Sequence, residues 1–203
     1  MSGTDGALRL IELTSTRLCH DISGMVGSLD HALSAPAKGA AFDPGVATAQ
    51  ALTTRLELRR AAWGPDGDPM ALARIQHLAA GLPEQVTVDV SALDQGTVFS
   101  ASTGRIVLNL LLLAADSLPS GGTVVVAGEP DDLFVRIAGP AAAWSSGMAV
   151  CLSDETEARS ALTDGRSLQM ALTALLAHAA GIRLSVVLSP AARNEPAILR
   201  LGG

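Results

Sequence analysis

Tyrosine is absent from this 203-residue chain, and the other large aromatics are scarce, with three Phe and two Trp. Aliphatic side chains and alanine must therefore build the core, which suits helices packed closely together. Cysteine is nearly absent too. Cys19 and Cys151 are too few for a disulfide framework and fit a reducing compartment. Charged residues make up 17% against 48% hydrophobic, a balance that excludes intrinsic disorder. The net charge of −6 and the lack of a Lys/Arg cluster exclude the footprint of a nucleic-acid binder. The longest apolar run, Ile106 to Ala115, is broken by Asn109 and falls well short of the roughly 20 residues that span a bilayer. Met1 to Gly6 lacks the basic flank and apolar stretch of a signal peptide. The expectation is a cytoplasmic protein that engages neither membrane nor nucleic acid.

What is present falls into two parts. From Ala7 to Ser34 there is no proline, and Ile11, Leu18, Ile22, Met25, Leu29 and Leu33 recur at the steps of one helical face. Pro36, Lys38 and Gly39 end that helix, and a second is predicted from Val46 to Trp63, with Ala49, Leu52, Leu56 and Trp63 on its apolar side. Gly64-Pro65-Asp66-Gly67-Asp68-Pro69 is a run of turn formers and helix breakers, and marks a domain junction. Beyond it, Asp68 is a candidate cap for a helix from Met70 to Ala80. Strands are predicted at Val86–Val90, Thr123–Ala127, Leu133–Ala138, Arg183–Leu188 and Ala197–Leu201, and helices at Thr103–Leu118 and Ser167–Ala180. Short turns between strands favour antiparallel pairing with helices on one face. The fold class is thus α+β: an N-terminal helical hairpin over residues 1–64, then an α/β sandwich over 65–203. Two such hairpins can pair into a four-helix bundle, burying apolar faces that one hairpin leaves open. The other arrangement is a monomer whose hairpin packs on its own second domain.

The residues that carry chemistry lie on the first helix. At about 100° per residue, His20 points away from the Leu18–Ile22–Met25–Leu29 face and should stand in solvent. Thr16, Ser23, Gly24 and Gly27 share that outer face. A glycine inside a helix costs about 1 kcal/mol relative to alanine, so two beside one histidine suggest that something approaches closely there. A neutral imidazole is nucleophilic at cellular pH, and phosphorus needs an unobstructed in-line approach. Asp21 is placed to accept a hydrogen bond from one ring nitrogen, and Arg17 to neutralise a phosphate. His31 lies on nearly the same face, so periodicity alone does not select between the two histidines; the adjacent acid, the basic residue one turn earlier and the glycines favour His20. Cys19-His20-Asp21 is not a nucleophilic triad, because successive helical residues diverge, and Cys19 reads as a small core residue. His77 and His178 lack partners at the spacing of a zinc site. Met25, Met70, Met148 and Met170 read as core filling.

Arg17-Leu18-Cys19-His20-Asp21, followed by Val26-Gly27, resembles the phosphoacceptor helix of ChpT-type histidine phosphotransferases of the alphaproteobacterial cell-cycle phosphorelay. Arg59-Arg60-Ala61-Ala62-Trp63-Gly64 is similar to the end of that family's second helix. Asn109 to Asp116, with Leu118-Pro119 and Gly121-Gly122-Thr123, is similar to its degenerate counterpart of a histidine kinase's ATP-binding helix. The resemblance implies a homodimeric four-helix bundle and a second domain like the kinase ATP-binding fold that binds no nucleotide. It also implies that His20 takes phosphate from the receiver domain of a hybrid histidine kinase and gives it to response regulators, with Asp21 and Arg17 in support. No cofactor is expected in this chain; magnesium is expected on the partner's receiver domain. Two departures stand out. Met25 replaces the family's usual proline, and the kinase motifs are missing, with Leu113 at the magnesium-binding asparagine and Gly139-Pro140-Ala141-Ala142 where an Asp-x-Gly-x-Gly loop belongs. ATP-driven kinase activity is therefore not expected. The alternative to a relay is a non-catalytic dimeric scaffold that binds a receiver domain or another signalling partner.

Overall fold

The computed structural model describes residues 3–34, 44–162, 165, 167–187 and 196–202. Pro36, Lys38, Gly39, Leu188 and the Leu33 side chain, all invoked above, lie outside these. Helices α1 (Gly3–Ser34) and α2 (Pro44–Trp63) form the expected pair. Then follow β1 (Met70–Ala71), α3 (Leu72–Ala79), β2 (Val86–Asp89), β3 (Val98–Phe99), α4 (Ala101–Asp116), β4 (Gly122–Glu129) and β5 (Asp132–Ala138). The order ends with α5 (Met148–Ser153), α6 (Glu155–Ser160), α7 (Leu168–Ala180), β6 (Arg183–Val187) and β7 (Ile198–Gly202). The fold is α+β, a helix pair followed by a mixed sheet with helices.

The main sheet runs β2-β4-β5-β7-β6, and β4, β5, β7 and β6 pair antiparallel as expected. The pair β2–β4 is parallel, which corrects the all-antiparallel reading. Helix α4 lies between those two strands in sequence, and such a crossover returns the chain in the same direction. Gly121 and Gly122, both at positive φ, turn the chain into β4; a Cβ on Gly122 would strike the Ala138 carbonyl of β5. Val124, Val126, Leu133, Val135, Ile137, Leu184, Leu199 and Leu201 project from the sheet into a core shared with α4 and α7.

Four local readings are corrected. Asp68 caps nothing in α3: that helix starts at Leu72 after Ala71, with no side-chain cap, because Met70 and Ala71 pair with β3 instead. Strands of two residues are too short for alternation to reveal. Helices α5 and α6 were not anticipated, although the Asp154 side chain caps α6 at the Thr156 and Glu157 amides, and an Asp-x-x-Glu start is a readable signal. Cys19 is exposed rather than core, since it sits on a flank between the apolar stripe and the outer face of α1. Of the methionines, Met148 and Met170 are buried and Met25 and Met70 half-buried.

The hairpin is seated by the far end of α2. Leu58 and Ala62, fully buried, belong to the main core, and Leu13 of α1 packs with Leu162, Leu168 and Ala171. A buried polar seam fixes the joint. Asn109 Nδ2 donates to the Ala62 carbonyl at 2.7 Å and to the Arg105 carbonyl at 2.9 Å, and its Oδ1 accepts from Gln169 Nε2 at 3.0 Å. Trp63 Nε1 donates to Gln169 Oε1 at 3.2 Å, and Arg105 Nε to the Ala62 carbonyl at 3.3 Å. These groups are satisfied by one another, as buried polar groups must be. Among the described residues, no helix is long and apolar enough to cross a membrane. Asn109→Ala should cost about 2–3 kcal/mol in urea denaturation, since it removes the bonds to the Ala62 and Arg105 carbonyls and to Gln169 and opens a void at a fully buried position. A loss below about 0.5 kcal/mol would show that the seam does not hold the joint.

Candidate functional site

The outer face of α1 assembles as its periodicity requires. His20, Thr16, Ser23, Gly24 and Gly27 are all exposed, and His20 stands about 180° around the helix from Ile11, at the head of the apolar stripe. The His20 side chain is 85% exposed. A Cβ on Gly24 or Gly27 would meet nothing within 4 Å among the described residues, so the space beside them is open there. The ring is open to an approaching group from outside the chain.

Beneath it lies a cluster of alternating charge. His20 Nδ1 is 3.4 Å from Asp21 Oδ1, a long hydrogen bond that needs the Nδ1–H tautomer. Asp21, 17% exposed at its side chain, turns its other oxygen to two arginines. Arg17 Nε of the same helix donates to Oδ2 at 3.4 Å, and Arg59 Nη2 reaches across from α2 to the same atom. Arg17 Nη2 also donates to Asp116 Oδ1 at 3.1 Å, at the last turn of α4. Asp21 is thus joined directly to the second hairpin helix and, through Arg17, to the end of α4. Arg59 and Asp116 were not among the residues singled out from sequence. Both lie in segments that carry only the family resemblance, and no local spacing links either of them to residue 21. His31 is exposed on the same side and has no hydrogen bond or ion pair among the described residues. The structure thus separates two histidines that periodicity does not.

The electrostatics follow the geometry. Burial acts to lower the Arg17 guanidinium, but the Asp116 and Asp21 carboxylates hold it above its ordinary value. Burial pushes the Asp116 carboxyl up, against the pull of Arg17 and Arg59. Arg17 serves two carboxylates at once, and its head group faces the protein rather than the space over the ring.

The class of protein is then an α+β scaffold in which a helical hairpin stands on a mixed-sheet sandwich and presents an exposed histidine on its outer face. A model of the histidine phosphotransferase C-terminal domain matches residues 72–192, and the chain belongs to that family. The match lies within the second part of the chain; α1, with His20, precedes it. Among solved structures, a bacterial phosphotransferase determined at 1.7 Å is similar over 99% of this chain and 97% of its own, at 22% identity and a TM-score of 0.67. A histidine kinase from Burkholderia phymatum STM815 matches over 98% and 96%, at 19% identity and a TM-score of 0.38. No curated protein matches the chain.

The raised Asp116 carboxyl makes a signed prediction. A carboxyl that is harder to ionise folded than unfolded contributes less to stability as pH rises through its titration. In urea denaturation, the wild-type midpoint should fall relative to that of Asp116→Asn as pH is raised from the ordinary carboxylate range towards neutrality. Parallel curves would mean that Arg17 cancels the effect of burial.

Proposed function

We propose that this protein relays a phosphoryl group between receiver-domain aspartates through a phosphohistidine on His20. The observation that carries this reading is the exposed His20 ring, with one nitrogen on Asp21 and open space beside Gly24 and Gly27. In the step, the Nε2 lone pair attacks the phosphorus of a partner's aspartyl phosphate in line. The N–P bond forms as the P–O bond breaks, and the electron pair leaves on the partner's carboxylate. Nδ1 keeps its proton, so the ring becomes cationic, and Asp21 lies beside that charge. The reverse step returns the phosphoryl group to a second receiver's aspartate. Thr16, Ser23, Gly24 and Gly27 form the landing face, and their small side chains allow the close approach. Arg17 supports the site by holding Asp21. Magnesium belongs to the partner's receiver domain. The donor would be the receiver domain of a hybrid histidine kinase and the acceptors response regulators, in the cytoplasm.

In this reading residues 1–64 dimerise and carry phosphate, and residues 65–203 form a degenerate kinase-like ATP-binding domain. The apolar stripe of α1 supports dimerisation. Ile11 is 61% exposed and Val26 48%, Val46 of α2 is 53% exposed, and Leu18, Ile22, Met25 and Leu29 are half-buried. A stripe so incompletely covered by its own chain is suited to a second hairpin.

A phosphorylated receiver domain should label the wild type and His31→Ala with acid-labile phosphate, and leave His20→Ala unlabelled. Binding without transfer would make the protein a scaffold, and labelling from ATP alone would make it a kinase. In sedimentation equilibrium the wild type should run at twice the monomer mass of 20.6 kDa. Val26→Glu combined with Val46→Glu should shift it towards monomer; a wild-type monomer would remove the four-helix bundle.

A further inference from the structure

The Asp21 carboxylate is held on one oxygen and offered to His20 on the other, and the cation that holds it most directly comes from the other helix. Arg59 is mostly buried, 15% exposed at its side chain, with its guanidinium 5.8 Å from the centre of the Trp63 ring. Its Nε is buried with no hydrogen-bond partner, while Nη2 makes the bond to Asp21 Oδ2. A guanidinium that leaves one buried donor unmade in order to aim another at a carboxylate is seated for that contact, since an unmet buried donor is costly. Arg17 touches the same oxygen, but at 3.4 Å and while shared with Asp116. Of the two, Arg59 is therefore the one whose carboxylate hydrogen bonding, among the described residues, goes to Asp21 alone.

We propose that Arg59 is a positioning residue for phosphoryl transfer: by fixing Asp21 Oδ2 it keeps Oδ1 on His20 Nδ1, which selects the Nδ1–H tautomer and leaves Nε2 as the nucleophile. This rests on His20 being the phosphoacceptor. Arg59 does not touch the reacting atoms. It acts through Asp21, as an outer group orients a catalytic imidazole through an intervening carboxylate. It also makes the second helix part of the site, so that the packing of α2 on α1 sets which ring nitrogen is free.

The test uses the full chain with ¹⁵N-labelled histidine, as wild type, Arg59→Lys and Arg59→Gln. Long-range ¹H–¹⁵N spectra above the imidazole titration read the His20 tautomer directly. The wild type should be predominantly Nδ1–H, Arg59→Gln a mixture of both tautomers, and Arg59→Lys intermediate, because a single ammonium lacks the fork that spans to Oδ2. Transfer from a phosphorylated receiver domain should slow by roughly tenfold in Arg59→Gln, with KM for the receiver unchanged. An unchanged tautomer ratio in a folded Arg59→Gln, as judged by circular dichroism, would overturn the proposal and leave Arg59 a structural tie between helices. Should Arg59→Gln fail to fold, a wild-type ratio in Arg59→Lys overturns it equally. If the wild type accepts no phosphate on His20, the phosphoacceptor reading fails, while the tautomer ratios still decide whether Arg59 positions Asp21.

Discussion

The Ala62 carbonyl, at the end of α2, is the point on which the rest of the molecule turns. It accepts from Asn109 and Arg105 of α4, and Trp63 next to it donates to Gln169 of α7. A helix's last carbonyls have no partner within the helix and must find one elsewhere. Here they find it inside the sandwich, flanked by the buried Leu58 and Ala62 side chains. The hairpin is thereby fixed at its base by directional bonds in a setting of low dielectric, where they are strong and costly to leave half-made. The Leu13 contact and the Arg17–Asp116 pair hold the hairpin at further points along α1.

From this seating the placement of the candidate site follows. The contacts of α1 with the elements beyond the hairpin include Leu10, Leu13 and Arg17, and His20 lies on the next turn, beside them rather than under them. The ring stays in water, while the acid beside it sits in a partly shielded position with a cation on either helix. Charges so arranged differ from ordinary surface ion pairs. Partial burial strengthens each interaction, and alternation of sign along Asp116, Arg17, Asp21 and Arg59 lets the cluster exist with few unmet charges.

The same geometry leaves a remainder. The region around α7 and the end of α4 covers one flank of α1, the outer face is occupied by small polar residues and glycine, and the stripe from Ile11 to Leu29 is covered only in part. The three faces have different chemistry: one engages the protein's own sandwich, one suits a second hairpin, and one suits a partner that approaches a histidine. That division of a single 32-residue helix is the structural basis of the functional reading.

Periodicity determined the two hairpin helices, the exposure of His20 and the grouping of Thr16, Ser23, Gly24 and Gly27, because facing on a helix is fixed by residue spacing alone. Turn chemistry and alternation determined β4, β5, β6 and β7 to within a residue or two. The parallel β2–β4 pairing, the two-residue strands and the roles of Asn109, Gln169, Arg59 and Asp116 were decided by tertiary structure. Asn109 interrupts an apolar run in sequence, and in space it is the donor that secures another helix 47 residues away. Arg59 meets Asp21 across 38 residues. No local pattern encodes such pairings, since a long-range hydrogen bond is set by where the backbone carries its ends and not by the spacing of either partner's neighbours.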